Sequence, residues 1–270
     1  MNTKVEWDRY NIIYSLLGIF FLYTIMRQLL RPFSIQDYDI LSDVDTFLIG
    51  LCTGYVFVLV ALKFDLETTS GKIWALLGIG TILWALGDMI YAIYEISYYL
   101  FDFLEEDPFP SIADIPWVLA YLFLFTGLYW EYRILEIKVK MRDLFLFLII
   151  IFLLTLAAAV LLLIEVATYT EESIPVIDRF LYLYYPIADI ILLFFAGLIF
   201  LKFIGGKIAW PWFIIVIAFI ITGVGDFWYN YLEWIEEYGS YSIADLPYYL
   251  GYIVQMIGGL EMCKLLSKKD

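Results

Sequence analysis

Carboxylates recur at matched positions in two parts of the chain, each inside a strongly apolar stretch. Each copy has a Gly-Asp pair, a tyrosine three residues and a glutamate seven residues after that aspartate, and then the segment SIADIP or SIADLP. An ionisable group is costly inside a membrane, so its presence there indicates a functional site. The matched residues are Asp88, Tyr91, Glu95 and Asp114 in the first copy and Asp226, Tyr229, Glu233 and Asp245 in the second.

Helical geometry predicts how these side chains are arranged. Residues at positions i, i+3 and i+7 share one face of a helix, so Asp88, Tyr91 and Glu95 should form a polar stripe on the third helix, with an equivalent stripe on the seventh. Such stripes either bind a ligand or form structural hydrogen bonds between helices. Asp114 and Asp245 each stand two residues before a proline. That position is typical of an N-cap as well as of a ligand-binding acid.

A third intramembrane carboxylate follows a proline in the segment YLYYPIADI. Pro186 is expected to kink the sixth helix, and Asp189 then lies at about the depth of Asp226. Tyrosine and tryptophan are frequent on both helices. These residues predict an acidic, aromatic vestibule that holds an organic cation by charge and cation–π contacts. An interfacial aromatic belt would have a similar composition.

Composition indicates the class of protein that positions these residues. Of 270 residues, 63% are hydrophobic, and the mean hydropathy is +0.84, as in an integral membrane protein. Runs such as LFLFLIIIFLLTLAAAVLLLI lack the alternation of a β-barrel strand, so an all-α fold is expected. Eight transmembrane helices are predicted, at residues 10–31, 46–63, 73–100, 115–132, 143–166, 178–202, 208–235 and 246–264.

The duplicated motif predicts a tandem 4+4 repeat. Residues 1–140 would form the first four-helix membrane repeat and residues 141–270 the second. Because each repeat has an even number of spans, the two are parallel and related by a pseudo-twofold axis along the membrane normal. The match extends to Trp74 with Trp212 and to Tyr121 with Tyr252, which stand at equal distances from their aspartates.

Basic residues predict the orientation. The N-terminus, the even-numbered loops and the C-terminal tail contain 13 of the 16 lysines and arginines, and the odd-numbered loops contain only Arg27, Arg31 and Arg179. The positive-inside rule therefore places both termini in the cytoplasm of a cell-membrane protein. The odd-numbered loops are acidic, and the net charge is −14. This outward-facing negative field argues against nucleic acid and favours, besides the lipid bilayer, a small-molecule or cationic ligand.

The chain contains no histidine. This excludes histidine-ligated haem, HExxH metalloproteases and nucleophiles activated by an imidazole. Cys52 and Cys263 have neither metal-binding nor redox spacing, and no disulfide is expected between them. We predict no metal site, no cofactor and no catalytic residue.

Three short motifs carry a resemblance to a known group of proteins. They are Tyr185, Pro186 and Asp189 in the sixth helix, the Gly-Asp pair that ends a tryptophan-containing span, and the S-x-A-D-x-P-Y-x-L-G-Y segment of residues 242–252. They resemble the multi-span N-terminal sensor regions that precede diguanylate cyclase or histidine kinase domains in many prokaryotic proteins. The resemblance implies that the membrane region perceives a ligand or a membrane state. Few residues follow the last predicted helix, so signalling would require a separate partner.

Two other functions are compatible with the same residues. The segment GVGD at 223–226 matches the G-x-G-D motif of intramembrane aspartyl proteases, with Asp189 as the second acid of a dyad. The sister copy reads ALGD at 85–88, so duplication accounts for the Gly-Asp pair without catalysis. We therefore expect Asp226 to pair with donors of the eighth helix, and Asp189 with tyrosines on its own side. A cation-coupled carrier is the other alternative. The favoured interpretation is a non-enzymatic sensory or ligand-binding module.

Overall fold

The structure, a computed structural model, describes residues 3–104, 109–168, 175–235 and 237–267. These residues are almost entirely helical, which confirms the all-α expectation. Residues 105–108 of the third predicted loop, three of which are acidic, and the C-terminal residues 268–270 lie outside the described part of the chain.

Eight long helices follow one another along the described residues, joined by short connections. The fifth contains one π-helical turn, Ala159–Leu163. The eighth is preceded by a 3-10 turn, Ile243–Asp245. The helices are α1 (Thr3–Leu30), α2 (Ile35–Phe64), α3 (Thr69–Phe101), α4 (Asp114–Ile134), α5 (Met141–Thr168), α6 (Val176–Phe203), α7 (Ala209–Trp234) and α8 (Leu246–Ser267).

Six of these helices are long and apolar enough to cross a membrane, namely α1, α2, α3, α5, α6 and α7. The chain is therefore a multi-pass membrane protein. The helices α4 and α8, which the sequence also predicted to span, are not among the six. Both are less apolar because they carry residues that the bundle encloses, such as the buried Glu131 on α4 and the buried Tyr249 and Gln255 on α8.

Contacts between distant residues define the two ends of the bundle. At one end the Gln28 side chain of α1 donates to the backbone oxygens of Tyr241 and Ser242, just before α8. At the other end Tyr14 donates to Glu261 at 2.6 Å. The first end carries the connections α1–α2, α3–α4, α5–α6 and α7–α8, and we call it the odd end. The opposite end is the even end.

Neighbouring helices form a closed arrangement around an aromatic core. Along the chain α2 packs on α3, α3 on α4, α6 on α7 and α7 on α8, while α8 packs on α2 and α4 on α6. In contrast, α1 contacts mainly α8, and α5 mainly α6. The rings of Trp74 and Trp212 meet with centroids 5.6 Å apart, and Phe57 packs edge-on against Trp74. The tryptophans that the two copies share are thus in contact inside the bundle.

Side-chain caps mark the first residues of two of these helices. Ser34 and Thr68 cap α2 and α3, because their side-chain oxygens accept the amide hydrogen bonds of Asp37 and Gly71. Pro186 lies inside α6, which remains a single helix from Val176 to Phe203. Helix α6 therefore carries Asp189 into the bundle without interruption.

Candidate functional site

A cavity of about 160 Å³ lies in the half of the bundle that belongs to the odd end. Residues from α2, α3, α4, α6, α7 and α8 line it, together with residues of the connections before α4 and α8. None of its lining residues in the described chain is a lysine or an arginine. Its acids are Asp43, Asp88, Asp114, Asp226 and Asp245, and its tyrosines are Tyr91, Tyr121, Tyr185, Tyr229, Tyr238, Tyr248 and Tyr252.

Asp88 is held by donors from two different helices. Trp117 of α4 donates its indole N–H to Asp88 Oδ1 at 3.0 Å. The Tyr252 hydroxyl of α8 donates to Asp88 Oδ2 at 2.8 Å. Gly87 is required beside it, because a Cβ there would lie 2.2 Å from Trp117 Nε1. The Gly-Asp pair of the first copy therefore allows the indole to reach the carboxylate.

Asp226 has an equivalent set of donors. Tyr121 of α4 donates to Asp226 Oδ2 at 3.1 Å, and Tyr248 of α8 also hydrogen-bonds to this carboxylate. Gly225 is closely packed in turn, since a Cβ there would lie 2.9 Å from Pro247 Cβ. In both copies, the glycine of the Gly-Asp pair thus accommodates a residue from the start of the following helix.

Asp189 and Asp226 are close enough to interact directly. The same Tyr121 hydroxyl lies 2.8 Å from Asp189 Oδ1, so the two carboxylates share its single proton as acceptors. Gly223 makes this approach feasible, because its Cα faces the Asp189 side chain and a Cβ there would lie 3.2 Å from Asp189 Cβ. The expected pairing of Asp226 with α8 is present through Tyr248. The expectation that Asp189 is held only by tyrosines of its own side is wrong, since its donor comes from α4.

Asp114 and Asp245 lie where the cavity meets the odd end. Asp114 accepts hydrogen bonds from the Tyr185 hydroxyl at 2.5 Å and from the Ser111 amide at 2.6 Å. Asp245 accepts a hydrogen bond from the Tyr238 hydroxyl at 2.9 Å. The interpretation of either aspartate as an N-cap is wrong. Serine oxygens accept the first amides instead, as Ser242 does from Ala244, because a serine stands three residues before each aspartate.

The structure divides the predicted site residues into two groups. Asp88, Tyr91, Asp114, Asp226, Tyr229 and Asp245 all line the one cavity, and Asp189 lies directly behind Asp226. Glu95 and Glu233, one helical turn or more closer to the odd end, do not line it. Glu95 is buried elsewhere, and Glu233 approaches Tyr229 at 3.5 Å. On each helix, the polar stripe that lines the cavity therefore ends at the tyrosine and does not reach the glutamate seven residues after the aspartate.

Several cavity residues were not among the predicted ones. The Trp117 and Tyr248 side chains each stand three residues after the second aspartate of their copy, and Tyr121 and Tyr252 each stand seven residues after it. The sequence had already matched Tyr121 with Tyr252 by their equal offsets, and the same signal would have identified Trp117 and Tyr248. Asp43 and Asn230 have no counterpart of the same type, and no sequence pattern marked them.

The side-chain oxygen of Asn230 is a buried hydrogen-bond acceptor that no donor of the described structure reaches. Its side chain is 1% exposed, lines the cavity, and donates through Nδ2 to the backbone oxygen of Asp226 at 2.6 Å. Its Oδ1 has no hydrogen-bond partner within the described structure. Arg27, a buried base on α1, does not line the cavity and is engaged by Asp45 at 2.6 Å. The cavity therefore presents acceptors whose charge is not balanced by any cation that lines it.

The protonation of Asp245 should affect stability. Burial raises the pKa of this carboxyl to about 7, although the hydroxyls of Tyr238 and Tyr38 stabilise its ionised form. The folded protein thus binds this proton more tightly than the unfolded chain does, in which an aspartate titrates near 4. The contribution of Asp245 to stability is complete at pH values below about 4 and is lost as the pH rises through about 7.

We expect the ligand-free protein to lose thermal stability between about pH 5 and pH 8, and Asp245→Asn to reduce that loss by roughly 5 °C. The unfolding temperature in detergent, measured at both pH values, tests this. Glu67→Gln, an exposed change at the even end, is the matched control and should leave the loss unchanged. An identical pH dependence in wild type and Asp245→Asn would contradict the assignment.

Three comparisons were made with proteins already known. The chain matches no family model, no curated protein and no solved structure. Within the described residues, no three acidic or cysteine side chains are close enough together to hold a metal ion. The fold and the site together define a helical multi-pass membrane protein with an acidic, tyrosine-lined cavity.

Proposed function

We propose that the protein binds a small organic cation in this cavity, and that it acts as a non-enzymatic sensory module of the cell membrane. The observation that carries the proposal is the convergence of Asp88, Asp114, Asp226 and Asp245 on one cavity that no base lines among the described residues. Buried carboxylates require protons, donors or cations. A cation that enters the cavity would supply the positive charge that the lining residues do not.

The size and lining of the cavity fit a small amine. A cavity of about 150 Å³ is known to hold one benzene molecule, so 160 Å³ corresponds to a ligand of about six to eight non-hydrogen atoms. Tyr91, Tyr229 and Trp84 line the cavity, and aromatic rings attract ammonium groups. The ligand class that combines these properties is an alkyl or aryl amine in its protonated form.

Several contacts support a 4+4 repeat of eight spans. Helix α2 packs on α8 as α4 packs on α6, so the two sets of four helices meet through equivalent pairs. Tyr121 of the first set donates to Asp226 of the second, and Tyr252 of the second donates to Asp88 of the first. We call Tyr121 and Tyr252 the crossing tyrosines. A pseudo-twofold axis would produce such a reciprocal pair of hydrogen bonds between the two sets.

The odd end would face the outside of the cell. Of the three bases assigned to the odd-numbered loops, Arg27 is 2% exposed and its charge is neutralised by Asp45. The basic excess at the even end is therefore larger than the sequence count implies, which supports cytoplasmic termini. The cavity would then receive its ligand from outside, and a separate signalling partner would read the bound state inside.

Cysteine labelling tests this orientation. In a Cys52→Ser and Cys263→Ala background, we expect Ser240→Cys to react with an impermeant maleimide added to intact cells, because Ser240 is exposed at the odd end. Ser267→Cys, at the even end, should react only after the cells are permeabilised. Labelling in the opposite order would contradict an outward-facing cavity.

An intramembrane aspartyl protease is a second candidate, favoured by the contact between Asp189 and Asp226. Two points weigh against it. Gly223 and Gly225, the glycines of the G-x-G-D match, have packing functions against Asp189 and Pro247. Asp189 is only 7% exposed and lies behind Asp226. We expect no cleavage of transmembrane substrates in proteoliposomes, and cleavage that both Asp189→Asn and Asp226→Asn abolish would establish the protease instead.

Binding of a matched pair of ligands tests the proposal directly. We expect n-pentylamine to bind the protein in nanodiscs of zwitterionic lipid at least 30-fold more tightly than n-pentanol, because a desolvated charge pair contributes about 2 kcal/mol or more. Calorimetry on both ligands measures this. Equal affinities would contradict the proposal. Uptake of the amine into proteoliposomes would identify a carrier rather than a sensor.

A further inference from the structure

We infer that the cavity is built for a diamine, with one ammonium group at the Asp88 centre and the other at the Asp226 centre. This inference rests on the proposed function, since it specifies the class of cation that the same cavity binds. It follows from how the lining residues are related to each other across the two sets of helices.

More than half of the lining residues fall into equivalent pairs. Six pairs are separated by one of two constant intervals in the sequence, 138 residues for those on α3 and α7 and 131 residues for those at α4 and α8. Four of the six pairs have the same residue type, so the site presents two carboxylates and two tyrosine hydroxyls twice each. The pairs are Trp84 with Thr222, Asp88 with Asp226, Tyr91 with Tyr229, Asp114 with Asp245, Trp117 with Tyr248, and Tyr121 with Tyr252.

Each of the two carboxylates has its own set of donors. Asp88 accepts from Trp117 and Tyr252, and Asp226 accepts from Tyr248, from Asp189 and from the Tyr121 hydroxyl that it shares with Asp189. An ionised carboxylate has about four acceptor positions, so these donors leave each centre with capacity for at least one more. An ammonium group has three N–H donors and no acceptor, which matches this need.

Asn230 provides an independent observation beside one centre. Its Oδ1 is buried without a donor in the described structure, and its Nδ2 is fixed on the backbone oxygen of Asp226. Such an unpaired acceptor costs about 1–3 kcal/mol unless a ligand donates to it. The corresponding position of the first copy is Ala92, so the two centres differ in this respect. The Asp226 centre therefore has an additional acceptor for an N–H group.

The wall of the same cavity can accommodate an alkyl chain. Trp84 lies in contact with Tyr121 and Phe219, with ring centroids 5.3 and 6.5 Å apart, and presents apolar surface. An α,ω-diamine would place its methylene groups along this surface and its charges on the two centres. A monoamine of the same length would satisfy only one centre at a time.

The test compares 1,5-diaminopentane with n-pentylamine by calorimetry in nanodiscs, at a pH where both are fully protonated. We expect the diamine to bind at least 30-fold more tightly, with one molecule per chain. Asp88→Asn and Asp226→Asn should each lower diamine affinity at least 30-fold, to about the affinity that the wild type has for the monoamine. Asp65→Asn, at the even end, is the control and should change neither.

The outcomes separate this inference from the proposed function. If the monoamine binds in preference to n-pentanol but the diamine gains nothing over it, the cavity takes a single charge and the two-centre inference is wrong. If neither amine binds more tightly than n-pentanol, the proposed function itself fails. A diamine advantage that survives both single substitutions would locate the second charge elsewhere and also overturn the inference.

Discussion

Replacing both Asp88 and Asp226 by asparagine is expected to lower the affinity for n-pentylamine by at least 100-fold. Each removed carboxylate is desolvated in the cavity, and losing the charged partner of a buried ion pair costs about 2–5 kcal/mol. The amide oxygen can still accept from Trp117 at one centre and from Tyr121 at the other, while the NH2 group at position 88 can donate to the Tyr252 hydroxyl oxygen. The surrounding packing is therefore retained. Calorimetry in nanodiscs measures the loss.

The ligand-free double variant should be at least as stable as the wild type. Asp226 and Asp189 share a side-chain hydrogen bond, which requires a proton on one of them, and an asparagine in place of Asp226 can donate that bond through its NH2 group without one. An Asp65→Asn and Glu67→Gln variant removes two charges at the exposed turn of the even end and serves as the control for net charge. A double variant that unfolds at a lower temperature and still binds the amine would make Asp88 and Asp226 structural residues.

Arg27→Met is expected to have the largest effect on stability. Arg27 is 2% exposed, and its guanidinium reaches Asp45 at 2.6 Å and the Tyr249 hydroxyl at 2.7 Å. Removing it leaves Asp45 without its counter-charge, and breaking a buried ion pair in this way costs about 3–5 kcal/mol. For a chain of this size that lowers the unfolding temperature by about 10 °C. Thermal unfolding in detergent provides the measurement.

A second ion pair of the same composition provides the comparison. Arg142 pairs with Asp143 at 3.0 Å, but its side chain is 81% exposed. Arg142→Met should therefore cost no more than about 0.5 kcal/mol. Adding Asp45→Leu to Arg27→Met should recover part of the lost stability, since the unpaired charge of Asp45 is then also removed. A double variant no more stable than Arg27→Met alone would show that Arg27 acts through its aromatic neighbours instead.

The class of the protein and the identity of its central acids could be derived from the sequence. Apolar runs of span length predict membrane helices whatever their neighbours are, and matched carboxylates inside such runs identify Asp88 and Asp226 without a structure. The partners of these acids could not be derived. Tyr252 reaches Asp88 because Gly50 leaves room for its ring, with a Cβ there falling 2.9 Å from Tyr252 Cζ. Which helix uses that space depends on packing between distant segments.

The same limitation explains two other differences. Asp189 meets Asp226 because Gly223 permits close packing of α6 on α7, whereas periodicity gives only the face of each helix. Arg27 looked like a loop residue because it stands near the end of α1 in the sequence. The rotation of α1 about its axis directs it to Asp45 and Tyr249 instead. Helix rotation and interhelical distance are tertiary properties that a pattern in one sequence does not determine.

The crossing tyrosines connect ligand affinity to the register between the two sets of helices. Tyr121 and Tyr252 each bind an acid of the opposite set, so sliding of α1–α4 against α5–α8 would weaken both centres together. Thermodynamic linkage then requires reciprocity: a change in bilayer thickness that shifts this register alters affinity by the same factor by which the ligand alters the register. Under the proposed function, occupancy of the cavity and strain in the surrounding lipid would therefore shift the same equilibrium.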